Sequence, residues 1–254
     1  MTALGAGLAL LVGIVLGLLG GGGSVLTVPI LIYGLNVPVK QAIATSLCVV
    51  GLVAFIGFIS HVRQRTVATR VALVFGPFAV VSAYAGALIA RHIPSHVQLV
   101  AFALVGLMGS ALMFRGTFKK SAEDGDSTSY TFIADTKTLT LLALQGIGVG
   151  LLTGLIGVGG GFLIVPALVL IEKLPMRLAV GTSLLVIAMN AFSGFLGYAG
   201  TVAIDWYLVI WFTAIAALGS IVGTLISARV PQRQLRQVFG VLLIGVSLYV
   251  LYRR

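Results

Sequence analysis

The chain alternates between long apolar stretches and short polar loops that carry basic residues or proline. The apolar stretches run over roughly 3–34, 41–60, 71–90 and 97–114, and then over 138–171, 178–199, 206–227 and 235–252. The last three of each set have the length of about 20 residues that a membrane-spanning helix needs. The pattern therefore predicts an all-α polytopic membrane protein.

The pattern also occurs twice along the chain. The segment GLLGGGGSVLTVP begins at Gly17, and GLIGVGGGFLIVP begins at Gly154, 137 residues later (154 − 17). Other residues match at this offset: Pro38 with Pro175, Thr45 with Thr182, and Ser46 with Ser183. We predict a first transmembrane repeat over 1–115 and a second over 138–254. The polar segment 116–137 holds four of the six acidic residues, and we interpret it as a solvated linker, the alternative being a phosphorylation or partner site.

The first apolar stretch of each repeat is too long for one crossing. An unbroken helix of about 31 residues would be about 45 Å long, against a hydrocarbon core of about 30 Å. Each stretch has a glycine cluster in its middle, followed by Pro29 or Pro166. We predict a helix, a Gly-rich break and a short second helix over about 24–34, repeated over about 161–171. Each repeat then has a Gly-broken first helix plus three transmembrane helices, which makes about eight spans, or ten if the broken helices are counted as two.

Composition and charge agree with this class. Only 9% of the 254 residues are charged and 59% are hydrophobic, with a mean hydropathy of +1.15, whereas a soluble domain is about one quarter charged. The formal charge of +10 lies in loops between the apolar stretches. Basic loops that face the cytoplasm explain it better than nucleic-acid binding does.

Loop charge distinguishes two topologies. If each broken helix crosses the membrane once, the repeats are parallel and the 16 basic residues divide nine to seven between the two faces. If the chain returns to its starting side at each break, the repeats are inverted, and one face collects twelve basic residues: Arg63, Arg65, Arg70, Arg115, Lys119, Lys120, Lys137, Lys173, Arg177, Arg229, Arg233 and Arg236. The other face keeps Lys40, Arg91, Arg253 and Arg254. Because twelve against four obeys the positive-inside rule, we predict inverted repeats with both termini outside.

The two glycine clusters are the predicted functional site. A broken helix inside a membrane is tolerated where it is buried in protein or lines a wet cavity, so two equivalent breaks indicate one shared cavity. The helix after each break starts with free N–H groups and a partial positive charge, which suits a small oxyanion. The alternative is that glycine only permits close helix packing. The candidates are Gly20, Gly21, Gly22, Gly23 and Ser24 in the first repeat, and Gly157, Gly159, Gly160 and Gly161 in the second.

Several polar residues are further candidates. Ser24 either caps the second helix or donates its hydroxyl to the ion. Two hydroxyls early in the next helix of each repeat either complete an oxyanion shell or bond back to the preceding turn: Thr45 and Ser46 in the first, and Thr182 and Ser183 in the second. The amides of Asn190 and Gln145 lie in otherwise apolar helices. Lys40 and Arg177, at equivalent positions, either hold the anion or place their charges at the membrane interface.

The residues needed for carboxylate proton relays, nucleotide binding, enzyme catalysis or metal binding are lacking. No Asp or Glu lies in the middle of an apolar stretch, so carboxylate proton relays are unsupported. Neither glycine cluster continues into the Lys and Ser or Thr of a phosphate-binding loop, and no nucleophile, base and orienting acid can be assembled. We predict no enzyme and no cofactor. Cys48 and the three histidines, His61, His92 and His96, have no metal-ligand spacing, so no metal site is predicted.

The repeated motif resembles that of a known family. GLLGGGGSVLTVPIL with ATSL, repeated as GLIGVGGGFLIVPAL with GTSL, is similar to the sulfite exporter TauE/SafE family of bacterial membrane proteins over essentially the whole chain. The resemblance implies a multi-pass permease that exports sulfite or a small organosulfonate such as sulfoacetate across the inner (plasma) membrane. It implies substrate contacts at Gly20 to Ser24, Thr45 and Ser46, and at Gly157 to Gly161, Thr182 and Ser183. Val158 interrupts the second cluster, so the clusters need not contact the ion equally.

Three functions stay open at this point. The leading one is a permease that binds its anion at the midplane between the two Gly-rich breaks. The second is a transporter of another small anion or sulfur species, such as thiosulfate or sulfide, working inward. The third is a membrane assembly factor that transports nothing. The expected partners are a small anionic substrate and the lipid bilayer, without nucleic acid, and a homo-oligomer is left open.

Overall fold

The fold is given by a computed structural model that describes residues 3–118, 136–157, 160–170, 174–198, 200–227 and 229–253. Most of the predicted linker lies outside the described residues, as do Val158 and Gly159. Over the described residues the secondary structure is helical throughout, with no strand.

Ten helices follow one another along the described chain. The first five are α1 (Ala3–Leu19), α2 (Gly22–Pro29, continued as a π-helix over Ile30–Gly34), α3 (Val39–Arg63), α4 (Thr69–Ala90) and α5 (Ser95–Phe118). The other five are α6 (Thr136–Ile156), α7 (Gly161–Leu170), α8 (Met176–Tyr198), α9 (Trp206–Ser227) and α10 (Gln232–Arg253). Within the described ranges, α3, α4, α6, α8 and α9 are long and apolar enough to cross a membrane, and shorter apolar helices accompany them. The prediction of an all-helical, multi-pass membrane protein is confirmed.

The chain reverses direction at the first glycine cluster. Gly20 has a φ of +70°, a left-handed conformation that side chains other than glycine adopt only with strain. After the turn, a Cβ on Gly23 would lie 2.5 Å from the carbonyl oxygen of Val12. Further on, a Cβ on Gly34 would lie 3.1 Å from Leu8. Helix α2 and its π-helical extension therefore run back alongside α1 towards the point where α1 began.

The second glycine cluster breaks its helix at the equivalent position. Gly157, 137 residues after Gly20, has a φ of +75°, and Gly160 has a φ of +64°. Helix α7 then begins at Gly161. A break is thus present in both stretches where excess length and glycine predicted it, and the short helices that follow, Gly22–Gly34 and Gly161–Leu170, agree closely with the predicted ranges.

Two pairs of helices run parallel to each other and touch through glycine. Gly13 and Gly17 of α1 lie against the backbones of Ala216 and Ser220 of α9. Helix α6 packs on α4 in the same manner, through the contacts of Gly146 with Phe75 and of Gly154 with Ala83. Small residues let helix backbones approach closely in a membrane, where hydrophobic burial does not drive helices together.

Two other pairs run antiparallel. In the pair of α3 and α8, Gly194 lies against Leu47, whereas Gly57 lies against Leu184. In the pair of α5 and α10, the hydroxyl of Ser110 donates to the carbonyl oxygen of Gly240 at 3.0 Å, and Gly106 lies against Ser247. Shifting the numbering by 137 residues exchanges the α1–α9 pair with the α6–α4 pair and maps each antiparallel pair onto itself.

Candidate functional site

The two breaks touch each other in the interior of the protein. A Cβ on Gly161, the first residue of α7, would lie only 2.6 Å from the Cα of Gly21, the residue before α2. Both residues are buried. Two helix N-termini from distant parts of the chain therefore meet, and their first N–H groups have no acceptor within their own helices.

Each break also rests on a helix of the other half of the chain. A Cβ on Gly20 would lie 2.7 Å from the hydroxyl oxygen of Ser183 and 2.9 Å from the Cα of Val180, both in α8. Gly157 lies against the side chain of Ile43 in α3. The start of α3 and the start of α8 thus form the walls beside the two breaks.

Three of the predicted hydroxyls already have partners within the protein. The hydroxyl of Ser24 donates to the carbonyl oxygen of Gly21 at 2.6 Å, and that of Ser183 donates to the carbonyl oxygen of Val180 at 2.8 Å. Ser24 is therefore not the N-cap of α2: Gly21 holds that position and makes no side-chain capping bond. The hydroxyl oxygen of Thr182 accepts a hydrogen bond of 2.9 Å from the backbone N–H of Ala68. Ser183 therefore bonds back to the preceding turn, which was one of the alternatives considered for it, whereas the bonds of Ser24 and Thr182 match neither alternative.

Other predicted polar groups are fully buried without a hydrogen-bond partner. Thr45 Oγ1, Ser46 Oγ, and both Oδ1 and Nδ2 of Asn190 are in this state, with 0% of each residue exposed. Buried polar atoms are nearly always paired, and leaving one unpaired costs about 1–3 kcal/mol. Such atoms are expected where a ligand supplies the missing partner.

Helix geometry directs Ser46 and Asn190 towards the breaks. Asn190 follows Ile187 by three residues, and Ile187 contacts Gly161, since a Cβ there would lie 2.5 Å from its Cδ1. Ser46 follows Ile43, which contacts Gly157, by the same interval. Residues three apart lie on one face of a helix. Gln145 also has no partner for its amide, but it lies three turns before the break in α6.

The predicted cations lie near helix ends. The ammonium group of Lys40 donates to the carbonyl oxygen of Arg91 at 2.8 Å, just past the end of α4. The guanidinium of Arg91 donates in turn to the carbonyl oxygen of Gly197 in α8, from Nε at 2.8 Å and from Nη2. Lys40 thus joins helix ends in this structure. Arg177 is the second residue of α8, one turn before Gly181.

A buried histidine near the first break was not among the predicted site residues. His61 is only 3% exposed, its Nδ1 lies 2.7 Å from Thr66 Oγ1, and its Nε2 has no hydrogen-bond partner. A Cβ on Gly181 would lie 3.2 Å from the Cβ of His61. In the sequence it was considered only as a metal ligand, and its spacing did not support that role. The repeat contains the missed signal, because the equivalent position holds another polar aromatic residue, Tyr198.

The protein matches a known family over nearly its whole length. The family model of the sulfite exporter TauE/SafE matches residues 5–250. The chain belongs to this family. TauE/SafE membership covers all ten helices, so both breaks are inside the matched region. The family resemblance read from the repeated glycine motif is confirmed.

Curated relatives agree with a role in transport. A "probable membrane transporter protein" of Xylella fastidiosa (strain Temecula1) is 33% identical over 246 residues, covering 96% of this chain and 92% of the relative. YdhB of Bacillus subtilis, with the same description, is 28% identical over 87% of this chain and 89% of its own length. MJ0441 of Methanocaldococcus jannaschii, again so described, is 28% identical over 75% of this chain and 71% of its own length. No solved structure matches the chain significantly. This TauE/SafE protein is a transmembrane transporter.

Proposed function

We propose that this protein is a permease, not an enzyme, that exports sulfite or a small organosulfonate across the inner (plasma) membrane. The anion binds beside the two breaks, where the N-termini of α2 and α7 meet. The observation that carries the proposal is the contact between Gly21 and Gly161 next to buried polar groups without partners on Ser46 and Asn190.

The donors around the breaks suit an oxyanion. The N–H groups that begin α2 and α7 carry partial positive charge, and no backbone acceptor within their helices reaches them. Asn190 Nδ2 and the hydroxyl of Ser46 add neutral donors. Within the described residues α1, α2, α3, α7 and α8 carry no Asp or Glu to repel an anion. A sulfite or sulfonate group, with three acceptor oxygens, would satisfy several of these donors at once.

The contact between the breaks bears on the transport cycle. Gly21 and Gly161 are too close for an ion to lie directly between them. An anion therefore binds to the side of the contact, or the breaks separate to admit it. We interpret this contact as belonging to a closed state of an alternating-access cycle.

The repeats are proposed to be inverted, with both termini outside. The return of α2 along α1 brings the chain back to its starting side. Inversion requires α3 and α8 to run antiparallel, as do α5 and α10, and this is the packing observed. Parallel repeats would make α3 and α8 parallel. Twelve of the 16 basic residues then lie on the cytoplasmic side.

Flux into liposomes tests the function. Purified protein should pass sulfite or sulfoacetate, and protein-free vesicles should not pass them above background. Gly161→Ala, which forces the breaks apart, should reduce flux, whereas Gly245→Ala, whose Cβ meets nothing within 4 Å, should not. If only thiosulfate or sulfide passes, that anion is the substrate of the site instead of sulfite. A folded protein that neither binds nor passes any of these anions would refute the permease.

Topology is tested separately. A reporter active only in the cytoplasm, fused after residue 254, should be silent, and the same reporter inserted in the 116–137 segment should be active. The opposite pair of results would show the protein in the reverse orientation. Active reporters at both positions would contradict inverted repeats.

A further inference from the structure

His61 has one ring nitrogen held by the protein and one left bare. The hydroxyl of Thr66 donates to the carbonyl oxygen of His61 at 3.2 Å, so its oxygen is free to accept from the ring. The 2.7 Å contact can then be a hydrogen bond from Nδ1–H to Thr66 Oγ1. In that tautomer the proton of the neutral ring is on Nδ1, and Nε2 is the basic nitrogen.

One acceptor lies near the imidazole of His61. Nε2 has no hydrogen-bond partner, and the backbone of Gly17 in α1 lies near the ring. The carbonyl group of Gly17 would accept a hydrogen bond from a protonated Nε2. Gly17 lies one turn before Gly20, so this position is one helical turn from the first break.

His61 is also joined to the break through α8. Gly181 packs against His61, since a Cβ there would lie 3.2 Å from the histidine Cβ. The preceding residue, Val180, contacts Gly20. A charge on the imidazole would therefore lie close to an anion beside the first break, with buried protein between them and little water to screen it.

The charged groups on the elements around His61 are all cations. Arg63 lies on α3 itself, Arg65 in the following loop, and Arg177 one turn before Gly181 on α8. Described α1 carries no titratable side chain, and α9 carries only Tyr207, at its opposite end. An imidazolium in this setting lacks a counter-charge, and a bound anion would supply one.

The equivalent position in the other repeat holds a side chain that does not serve this role. Tyr198 is buried like His61, and its hydroxyl is engaged by Gln98 Nε2 at 3.3 Å and by the carbonyl oxygen of Gly154 at 3.4 Å. Gly154 is the repeat partner of Gly17. The two sites are thus built alike, but only the one at the end of α3 holds a side chain that becomes a cation when it binds a proton.

We propose that His61 is the binding site for a proton that moves together with the anion. The proton comes from water on the open side, binds Nε2, and returns to water on the other side, so no redox step is involved. The site with both ligands bound has a smaller net charge than the site with only the anion or only the proton. Anion and proton therefore stabilise each other's binding. The inference rests on the proposed function and names the coupling ion for the same site.

Nuclear magnetic resonance of one histidine tests the linkage directly. The double variant His92→Gln, His96→Gln leaves His61 as the only one of the three histidines. With ¹⁵N-labelled histidine, the Nε2 resonance reports protonation across a pH titration, with and without saturating sulfite. We expect sulfite to move the midpoint upward by about one pH unit, which corresponds to about tenfold coupling.

The failures of the two proposals are distinguishable in this sample. If sulfite binds but the midpoint does not move, the proton site at His61 is refuted and the permease stands. If no sulfite, sulfoacetate or thiosulfate binds, the permease itself is refuted.

Flux measurements test whether the linkage drives transport. At zero membrane potential, a gradient of one pH unit, acid outside, should let wild-type vesicles accumulate sulfite by up to about tenfold. His61→Gln should retain sulfite exchange at equal pH but lose this accumulation. The exposed His92→Gln should behave as wild type. Sulfite itself titrates in this range, but equally for every protein, so the comparison among variants is unaffected.

Two results would overturn the inference. One is accumulation by His61→Gln equal to that of wild type. The other is a folded His61→Gln protein that loses exchange and accumulation together, because that would assign His61 a structural role instead of a coupling one.

Discussion

The two repeats carry the same hydroxyl pair at the same offset and engage it differently. In the second repeat, Thr182 accepts a hydrogen bond from Ala68 and Ser183 bonds back within its helix. In the first repeat, Thr45 and Ser46 are equally buried but have no partner. Equivalence in sequence therefore does not make the two repeats chemically equivalent. One pair is hydrogen-bonded within the protein, and the other has no partner in it.

The largest effect is expected at the two left-handed glycines. Gly20→Ala and Gly157→Ala each force a Cβ into strained backbone and into a neighbouring helix. Together these effects should lower the free energy of unfolding by about 2–4 kcal/mol. Chemical unfolding in detergent measures the loss, with Gly245→Ala as the control.

Second-site variants separate the two breaks. Every atom nearest to the new Cβ at Gly157 belongs to the side chain of Ile43, so Ile43→Ala should partly rescue Gly157→Ala. At Gly20 the neighbours include the Cα of Val180, which no substitution removes, so Ser183→Ala should not rescue Gly20→Ala. Equal rescue at both breaks would contradict this difference.

The next effect concerns binding. Asn190→Leu removes a donor from the proposed anion site and should weaken sulfite binding by about tenfold or more, the loss of one hydrogen bond to a charged group. Stability should not fall, because the amide has no partner to lose. Titration calorimetry measures the affinity. Val53 is the repeat partner of Asn190, and Val53→Ala should bind normally; unchanged affinity in Asn190→Leu would remove this residue from the site.

Isosteric variants compare the two hydroxyl pairs on stability alone. Thr182→Val leaves the N–H of Ala68 without its acceptor and should cost about 1–3 kcal/mol. Thr45→Val removes a buried hydroxyl that has no partner, so it should cost nothing or stabilise the protein. Thermal unfolding of both variants in one detergent decides the matter. Similar losses in the two would show that Thr45 has a structural partner after all.

A small effect on stability, and none on binding, is expected at the outer helix ends. Lys40→Met loses the bond to the carbonyl oxygen of Arg91, which is worth about 1 kcal/mol. The affinity for sulfite should stay unchanged, because this ammonium group is engaged by a helix end. A tenfold loss of affinity, measured by the same calorimetry, would return Lys40 to the anion site.

Local signals in the sequence were sufficient for the helices and their breaks. Excess length, glycine and a following proline located α2 and α7, and the boundaries differ by a few residues, as in Val39–Arg63 against the predicted 41–60. Helix length follows from hydropathy and the thickness of the bilayer, and both can be read from one stretch at a time.

Which polar side chains have hydrogen-bond partners within the protein could not be predicted in this way. Whether Thr182 is free depends on Ala68, 114 residues away in sequence, and whether Lys40 is free depends on the end of α4. The two equivalent breaks indicated that the glycine clusters lie near each other, but the direct contact of Gly21 with Gly161 could not be read from any local pattern. His61 was missed because its burial is produced by Gly181 and the loop that contains Thr66.

The glycine-lined pairs have a mechanical consequence. The backbone of α1 packs directly on that of α9, and the backbone of α6 on that of α4. The first helix of each repeat therefore packs against a helix of the other repeat. Neither repeat can rotate as a rigid body without breaking the contacts of α1 with α9 and of α6 with α4. In the proposed transport cycle, the bodies that move apart when the breaks open therefore contain helices from both repeats. In that cycle, the unit that repeats in the sequence differs from the unit that moves in the membrane.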